Sequence, residues 1–168
     1  TETAHQADVH LQLIPGTDVA LLATIAAALL DGVTSIAGCT ADDLTALRTL
    51  LDGRTIERAA ASTGLDVDDV AALVRDVLDH RGRLSVMCGT GAQMGRDGLL
   101  IEWLRWIVLI LSGSLESPGG MRFIHGVFGP PAAPSTHEKR AKPGPSSRPE
   151  LPRIIDQIPV VALADEIE

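Results

Sequence analysis

Near the middle of the chain, ten residues with four glycines separate two strongly apolar segments. The run 84–88 (LSVMC) precedes them and the run 99–111 (LLIEWLRWIVLIL) follows them. This order predicts a buried strand, a glycine-rich loop and a buried helix. The backbone N–H groups of such a loop, together with the positive end of the helix dipole, make a site that suits a phosphate or pyrophosphate group.

The spacing of the glycines narrows the kinds of site that this loop can form. It is G-x-G-x-x-x-G-x-x-G, from Gly89 to Gly98. Met94 stands where the dinucleotide-binding motif GxGxxG has its third glycine, and no GK[ST] follows as it does in a P-loop. A purely structural turn is the alternative interpretation, because glycine is common in turns for conformational reasons alone.

A second candidate site follows the first predicted strand. Residues 9–14 alternate well enough for a strand, and Pro15 and Gly16 end the run before a long helix begins. Ligands of open α/β sheets bind at the carboxyl ends of strands. Asp18 lies at such an end, where its carboxylate can accept two hydrogen bonds from a guanine-like edge. The alternative is that Thr17 or Asp18 caps the helix.

The rest of the first part of the chain is predicted to be helical. Apolar residues at helical spacing indicate helices at 41–51, 55–62 and 67–80, the first of them capped by Thr40 and the last by Asp66. Because aromatic residues make up only 2% of the chain, the core must consist of Leu, Val, Ile and Ala. Strands interspersed with helices are typical of α/β proteins. We therefore predict a three-layer αβα, Rossmann-like domain with a largely parallel sheet over residues 1–128.

The composition changes after this predicted domain. Seven of the ten prolines lie between residues 130 and 152, with four basic residues among them. This composition predicts a linker or a long surface loop over residues 129–152. Residues 153–168 are predicted to be a C-terminal segment that either docks on this domain or leads to a part absent from this sequence. Because the first residue is Thr and not Met, we also expect a chain that has been processed or is part of a longer protein.

The charges, apolar runs and cysteines of the chain limit its expected partners, its location and its chemistry. The 14 basic and 22 acidic residues give a net charge of −8, which disfavours nucleic acid and anionic membranes. The apolar runs 19–30 and 99–111 are too short or too charged to predict a membrane span. Isolated cysteines and the lack of a signal peptide favour a cytoplasmic protein. The scattered histidines and acids predict neither catalytic residues nor metal ligands in this chain.

Four segments of the chain, taken together, carry a resemblance to a known family. They are residues 7–21 (ADVHLQLIPGTDVAL), 55–64 (TIERAAASTG), 89–98 (GTGAQMGRDG) and 111–120 (LSGSLESPGG). In order and spacing they are similar to the AD…L…PGTD.AL, tpE.aa..tGv, G.G.nQh..G and LtGniG.pGGg segments of molybdopterin oxidoreductases. These enzymes form the dimethyl-sulfoxide-reductase superfamily, which includes formate dehydrogenases and periplasmic-type nitrate reductases. The resemblance covers about residues 1–125.

The resemblance implies a cofactor, molybdopterin guanine dinucleotide with molybdenum, held between this domain and other domains of the same enzyme. It implies that the first candidate segment lies near a guanine or its ribose-phosphate, and that the glycine loop lies near a pterin or its pyrophosphate. The cofactor-binding residues that it implies are Gly16, Thr17, Asp18, Gly89, Thr90, Gly91, Gln93, Met94 and Gly98.

The sequence departs from the family pattern in two respects. Gln93 lies two residues after Gly91, where the family usually has three, and Met94 stands where the family has His. The family's iron–sulfur cysteines and molybdenum ligand come before this region, and its second nucleotide-binding part comes after. The resemblance therefore implies a fragment, inactive alone, of an enzyme that carries out two-electron redox chemistry on a small-molecule substrate.

Two functions from other classes stay open at this point. A non-catalytic α/β binding or protein-interaction module would use the glycine loop only as a turn. A stand-alone nucleotide-binding domain would use the loop for phosphate, although the missing third glycine of GxGxxG counts against it.

Overall fold

The structure is a computed structural model, and it describes residues 2–123, 141–142 and 153–154. The chain consists of two units, residues 1–123 and residues 124–168. The predicted linker at 129–152 and the predicted C-terminal segment at 153–168 lie almost wholly outside the described residues. The described elements are α1 (Glu2–Gln6), α2 (Asp18–Leu30), α3 (Ala41–Leu51), α4 (Ile56–Thr63), α5 (Val67–Asp79), α6 (Thr90–Gln93), α7 (Gly98–Leu111), β1 (Ala141–Lys142) and β2 (Arg153–Ile154).

The three-layer αβα fold with a largely parallel sheet, predicted from the sequence, is wrong. Residues 9–14 and 84–88, which their patterns predict as strands, form irregular segments without a neighbouring strand among the described residues. The strands that the structure describes are β1 and β2, which pair antiparallel with Ala141 opposite Ile154. Residues 2–123 are therefore helices joined by loops and turns.

The alternation in the second of these segments has a different physical cause. Leu84, Val86 and Cys88 are half-buried, whereas the two residues between them are exposed. The Leu84 N–H donates to Ser114 Oγ at 3.0 Å, and the Val86 carbonyl accepts from Arg105 at 3.3 Å. Side chains thus satisfy backbone groups that a neighbouring strand would satisfy in a sheet.

Helix α2 lies at the centre of the first unit. It contacts α7 most extensively and also packs against α3, α4 and α5. Alanines at the contacts let neighbouring helices approach closely, and burial of apolar surface stabilises the fold by about 25 cal/mol per Å². The buried residues of α2 are Ala23, Thr24, Ile25, Ala26, Leu29 and Leu30. The core consists of Leu, Val, Ile and Ala, as the low aromatic content predicts.

Capping residues define the ends of several helices. At the start of α3, Thr40 Oγ1 accepts from the Asp43 N–H at 3.1 Å, and Asp43 Oδ2 accepts from the Thr40 N–H at 2.8 Å. This capping box confirms the predicted cap. Helix α4 ends at Gly64, whose φ of 76° lies in the left-handed region that glycine adopts without strain. The helices predicted between residues 41 and 80 are confirmed to within one residue at each end.

Helix α7 carries the second apolar run and begins one residue before its predicted start. Beyond it the chain turns back on itself, and Leu115 forms an isolated bridge with Met121. Gly120 lies so close to the preceding segment that a Cβ would be 2.0 Å from the Ser114 carbonyl oxygen, so only glycine fits there. In the part of the chain that the structure describes, no helix is both long and apolar enough to cross a bilayer.

Candidate functional site

The turn before α2 holds the first group of predicted site residues. Gly16 has a φ of 84°, which this tight turn requires. Thr17 is the N-cap residue of α2, but its hydroxyl donates backwards to the Ile14 carbonyl at 2.6 Å and does not cap the helix. The Asp18 side chain makes no hydrogen bond or ion pair with another described residue. The predicted N-cap position of Thr17 is thus confirmed, although without a side-chain capping bond, and the Asp18 carboxylate is available to a ligand.

The glycine loop folds as the single helical turn α6 and then bends into α7. Gly89 is the N-cap of α6, and the amides of Thr90 and Gly91 have no acceptor within the turn. A Cβ at Gly89 or Gly91 would meet nothing within 4 Å, so a ligand can approach the backbone there. Gly98 has a structural reason instead, because a Cβ would lie 1.8 Å from the Gln93 carbonyl oxygen.

A carboxylate on α7 holds the middle of this loop. Glu102 Oε1 accepts a hydrogen bond from Gln93 Nε2 at 2.6 Å, and Glu102 Oε2 accepts one from Arg105 Nε at 2.8 Å. The Gln93 bond first, and the Arg105 bond second, hold the pKa of Glu102 below its ordinary value of 4.5. Glu102 is therefore ionised at neutral pH, with both oxygens engaged.

The cation that pairs with Glu102 is itself held in place. Arg105 is only 8% exposed, and its Nη1 also donates to the Val86 carbonyl and contacts Met121 Sδ at 3.6 Å. Its guanidinium lies 4.1 Å from the centre of the Trp106 ring, which stacks on Phe123. Such a fixed guanidinium gives the Glu102 carboxylate a fixed position in turn.

Cys88 links the two groups of predicted site residues. Burial raises the pKa of its thiol, and the charges of Glu102 and Asp18 raise it further, while Arg105 opposes them. A protonated, half-buried thiol fits a packed cysteine rather than a reactive one.

The geometry of the helices also brings the two groups together. Arg81 donates to the Leu29 carbonyl near the end of α2, and the next residue, Gly82, donates to the Ser112 carbonyl at the end of α7, so Asp18 and the glycine loop lie at the opposite, shared end of the helix pair.

The predicted site residues thus divide into two sets. The structure places Asp18 and the glycine loop at the same end of the α2–α7 pair and ties Gln93 to α7. Among the described residues no hydrogen bond joins the loop to Gly16 or Thr17, and the Met94 side chain is 83% exposed.

The sequence analysis did not predict the roles of Glu102 and Arg105, because it treated them only as charges within an apolar run. Their spacing could have indicated these roles. Opposite charges three residues apart lie on one face of a helix, and a charge within an apolar helix requires a partner.

An apolar groove lies between α3 and α7, away from these residues. It has a volume of about 260 Å³, and Leu47, Leu50, Trp103 and Ile107 are among its walls. A second pocket on α7 shares Trp103 with this groove and includes Leu99, which is 88% exposed. Exposed apolar surface of this kind often marks a protein contact.

Comparison of the chain with protein families, with curated proteins and with solved structures found no match. Among residues 2–123, no group of three or more His, Cys, Asp or Glu side chains is arranged to hold a metal ion. The resemblance of the four segments to molybdopterin oxidoreductases stays a prediction.

Proposed function

We propose that residues 16–18 and 89–98 form one side of a binding surface for molybdopterin guanine dinucleotide in a molybdopterin-dependent oxidoreductase. One observation carries the proposal: α2 and α7 pack along each other with their C-terminal ends joined through Arg81 and Gly82, so that their starts, at Asp18 and Gly98, lie at the same end of the pair. The two segments that the resemblance assigns to one cofactor are distant in sequence. Their proximity supports a common ligand.

The residues present suit the two polar parts of such a ligand. The free amides of Thr90 and Gly91, with open space at Gly89 and Gly91, suit pyrophosphate oxygens. The side chain of Arg96 is exposed in the same loop and adds a positive charge. The unpartnered Asp18 carboxylate suits the two N–H groups of a guanine edge.

In this proposal the chain binds and orients, and other parts of the enzyme carry the chemistry. When bound, the cofactor supplies two-electron redox reactivity at molybdenum. The partners are other domains of the same enzyme, with an iron–sulfur cluster among them, and a small-molecule redox substrate. The chain alone is expected to be inactive. A cytoplasmic location is part of the proposal, and the two free cysteines fit a reducing compartment.

Calorimetric titration of the chain with GDP and, separately, with pyrophosphate tests this function. We expect binding near a Kd of about 1 mM for each, because the surface encloses only one side of the ligand. Asp18→Ala should weaken GDP binding and leave pyrophosphate binding unchanged, since only the base contacts Asp18. Asp31→Ala, at the other end of α2, is the matched control. Absence of heat with both ligands, or equal GDP binding by Asp18→Ala and the native chain, would reject the assignment.

A protein-interaction module is the second candidate function, and the exposed face of α7 favours it. Leu99 and Trp103 lie on this face beside the groove between α3 and α7. If interaction is the main function, Leu99→Glu removes it while GDP and pyrophosphate binding are absent in the native chain. Copurification of partners with the native chain and with Leu99→Glu separates the two candidates.

A further inference from the structure

The glycine loop has one side-chain hydrogen bond to the rest of the described chain, between Gln93 Nε2 and Glu102 Oε1 at 2.6 Å. Backbone groups also join the loop to α7, where the Ile101 N–H donates to the Asp97 carbonyl at 2.9 Å. Most of its side chains are exposed, including Thr90, Met94 and Arg96. The conformation of the loop therefore depends strongly on the hydrogen bond that the Glu102 carboxylate accepts from Gln93.

Glu102 holds the loop at the last residue of α6. Its Oε1 accepts the hydrogen bond from Gln93, whose backbone N–H is also bonded to the Gly89 carbonyl at the start of the turn. The carboxylate is in turn fixed by Arg105, whose guanidinium is held by the Val86 carbonyl and the Trp106 ring.

We propose that Glu102 is the positioning residue of the glycine loop: its carboxylate, anchored by Arg105, holds Gln93 and so fixes the conformation of the residues around it. The binding of an anion by this loop rests on the proposed function. The ordering of the loop by Glu102 does not, and it can be measured on the chain without ligand.

The charges around Glu102 fix the direction of its pH dependence. Arg105 faces it from the same helix, Gln93 faces it from the loop, and Cys88 is the titratable neighbour on the loop side. Because the folded pKa is lowered, loop order is complete above the ordinary value of 4.5 and is lost as the pH falls through the lowered pKa.

Amide hydrogen exchange and amide chemical shifts of the 168-residue chain, recorded by NMR, test the proposal. In Glu102→Gln we expect the amides of residues 92–95 to exchange about tenfold faster, with the amides of α2 unchanged. The same loop amides should titrate with Glu102 in the native chain and stay flat in Glu102→Gln. Glu57→Gln is the matched control, because Glu57 is also a helical carboxylate with a lowered pKa but lies on α4.

Pyrophosphate affinity gives the second measurement, and we expect it to fall about tenfold in Glu102→Gln. Loop exchange that depends on Glu102, together with no pyrophosphate binding by the native chain, upholds the positioning role and rejects the proposed function. Unchanged loop exchange and a flat titration in the native chain overturn the positioning role. Where Glu102→Gln unfolds, Gln93→Ala removes the same hydrogen bond from the exposed side and decides the question.

Discussion

At the scale of single residues, the glycines of the loop differ in what they require. Gly98 starts α7 against the Gln93 carbonyl, whereas Gly91 faces open space. We expect Gly98→Ala to lower the free energy of unfolding by about 1–3 kcal/mol, because the added methyl group must push the loop away. Gly91→Ala should change it by less than about 0.5 kcal/mol. Urea denaturation of the two variants measures the difference, and equal losses would contradict the close approach at Gly98.

The capping box at α3 gives a second prediction at this scale. Thr40→Ala should lower the free energy of unfolding by about 1 kcal/mol. Asp66→Ala should cost less, since Asp66 occupies the N-cap of α5 without a side-chain capping bond. Thermal denaturation of both variants compares the two caps. A larger loss in Asp66→Ala would contradict the capping geometry.

The same capping box predicts that the stability of the chain depends on pH. Its hydrogen bonds with Thr40 hold the pKa of Asp43 below the ordinary value of 3.8. The folded pKa is the lower one, so this stabilisation is present above about pH 3.8 and is lost as the pH falls through the folded value. Native chain and Asp43→Asn should therefore differ in stability at neutral pH and converge in acid. A difference that grows below pH 3.8 would show that the carboxylate does not stabilise the helix.

At the scale of elements, α7 has two faces with different roles. Its inner face packs on α2, where Leu104 is 2% exposed, and its outer face carries the exposed Leu99. Leu104→Ala should lower the free energy of unfolding by about 2–5 kcal/mol through loss of buried contacts. Leu99→Ala should change it by less than about 0.5 kcal/mol. Equal losses in chemical denaturation would mean that both faces are buried in solution.

The helices and the irregular segments differ in how well the sequence predicts them. Helical periodicity and caps locate α2, α3, α4, α5 and α7, because each depends on residues close in sequence. Alternation at 84–88 does not distinguish a strand from an irregular segment that packs one side on helices. The deciding contacts come from Ser114 and Arg105, which lie far along the chain. The site was predictable to the same degree: its loop from glycines, but not its anchor on α7.

At the scale of the whole molecule, α2 is the helix around which residues 2–123 pack. It contacts four other helices, and Ala26 and Leu29 are fully buried. Amides in α2 should therefore open only with global unfolding and exchange most slowly, followed by those of α7. Exchange at residues 84–88 should be much faster, since few of their amides have acceptors. Slow exchange at 84–88 would indicate a paired strand and contradict the helical fold.

The central claim is that the turn at 16–18 and the loop at 89–98 form one surface for a guanine nucleotide. The most direct measurement is an NMR titration of the isotope-labelled chain with millimolar GDP. The account predicts shifts confined to the amides of these two segments, with those of 16–18 absent when pyrophosphate replaces GDP. Shifts in only one segment with GDP, shifts in the groove between α3 and α7, or no shifts would contradict it.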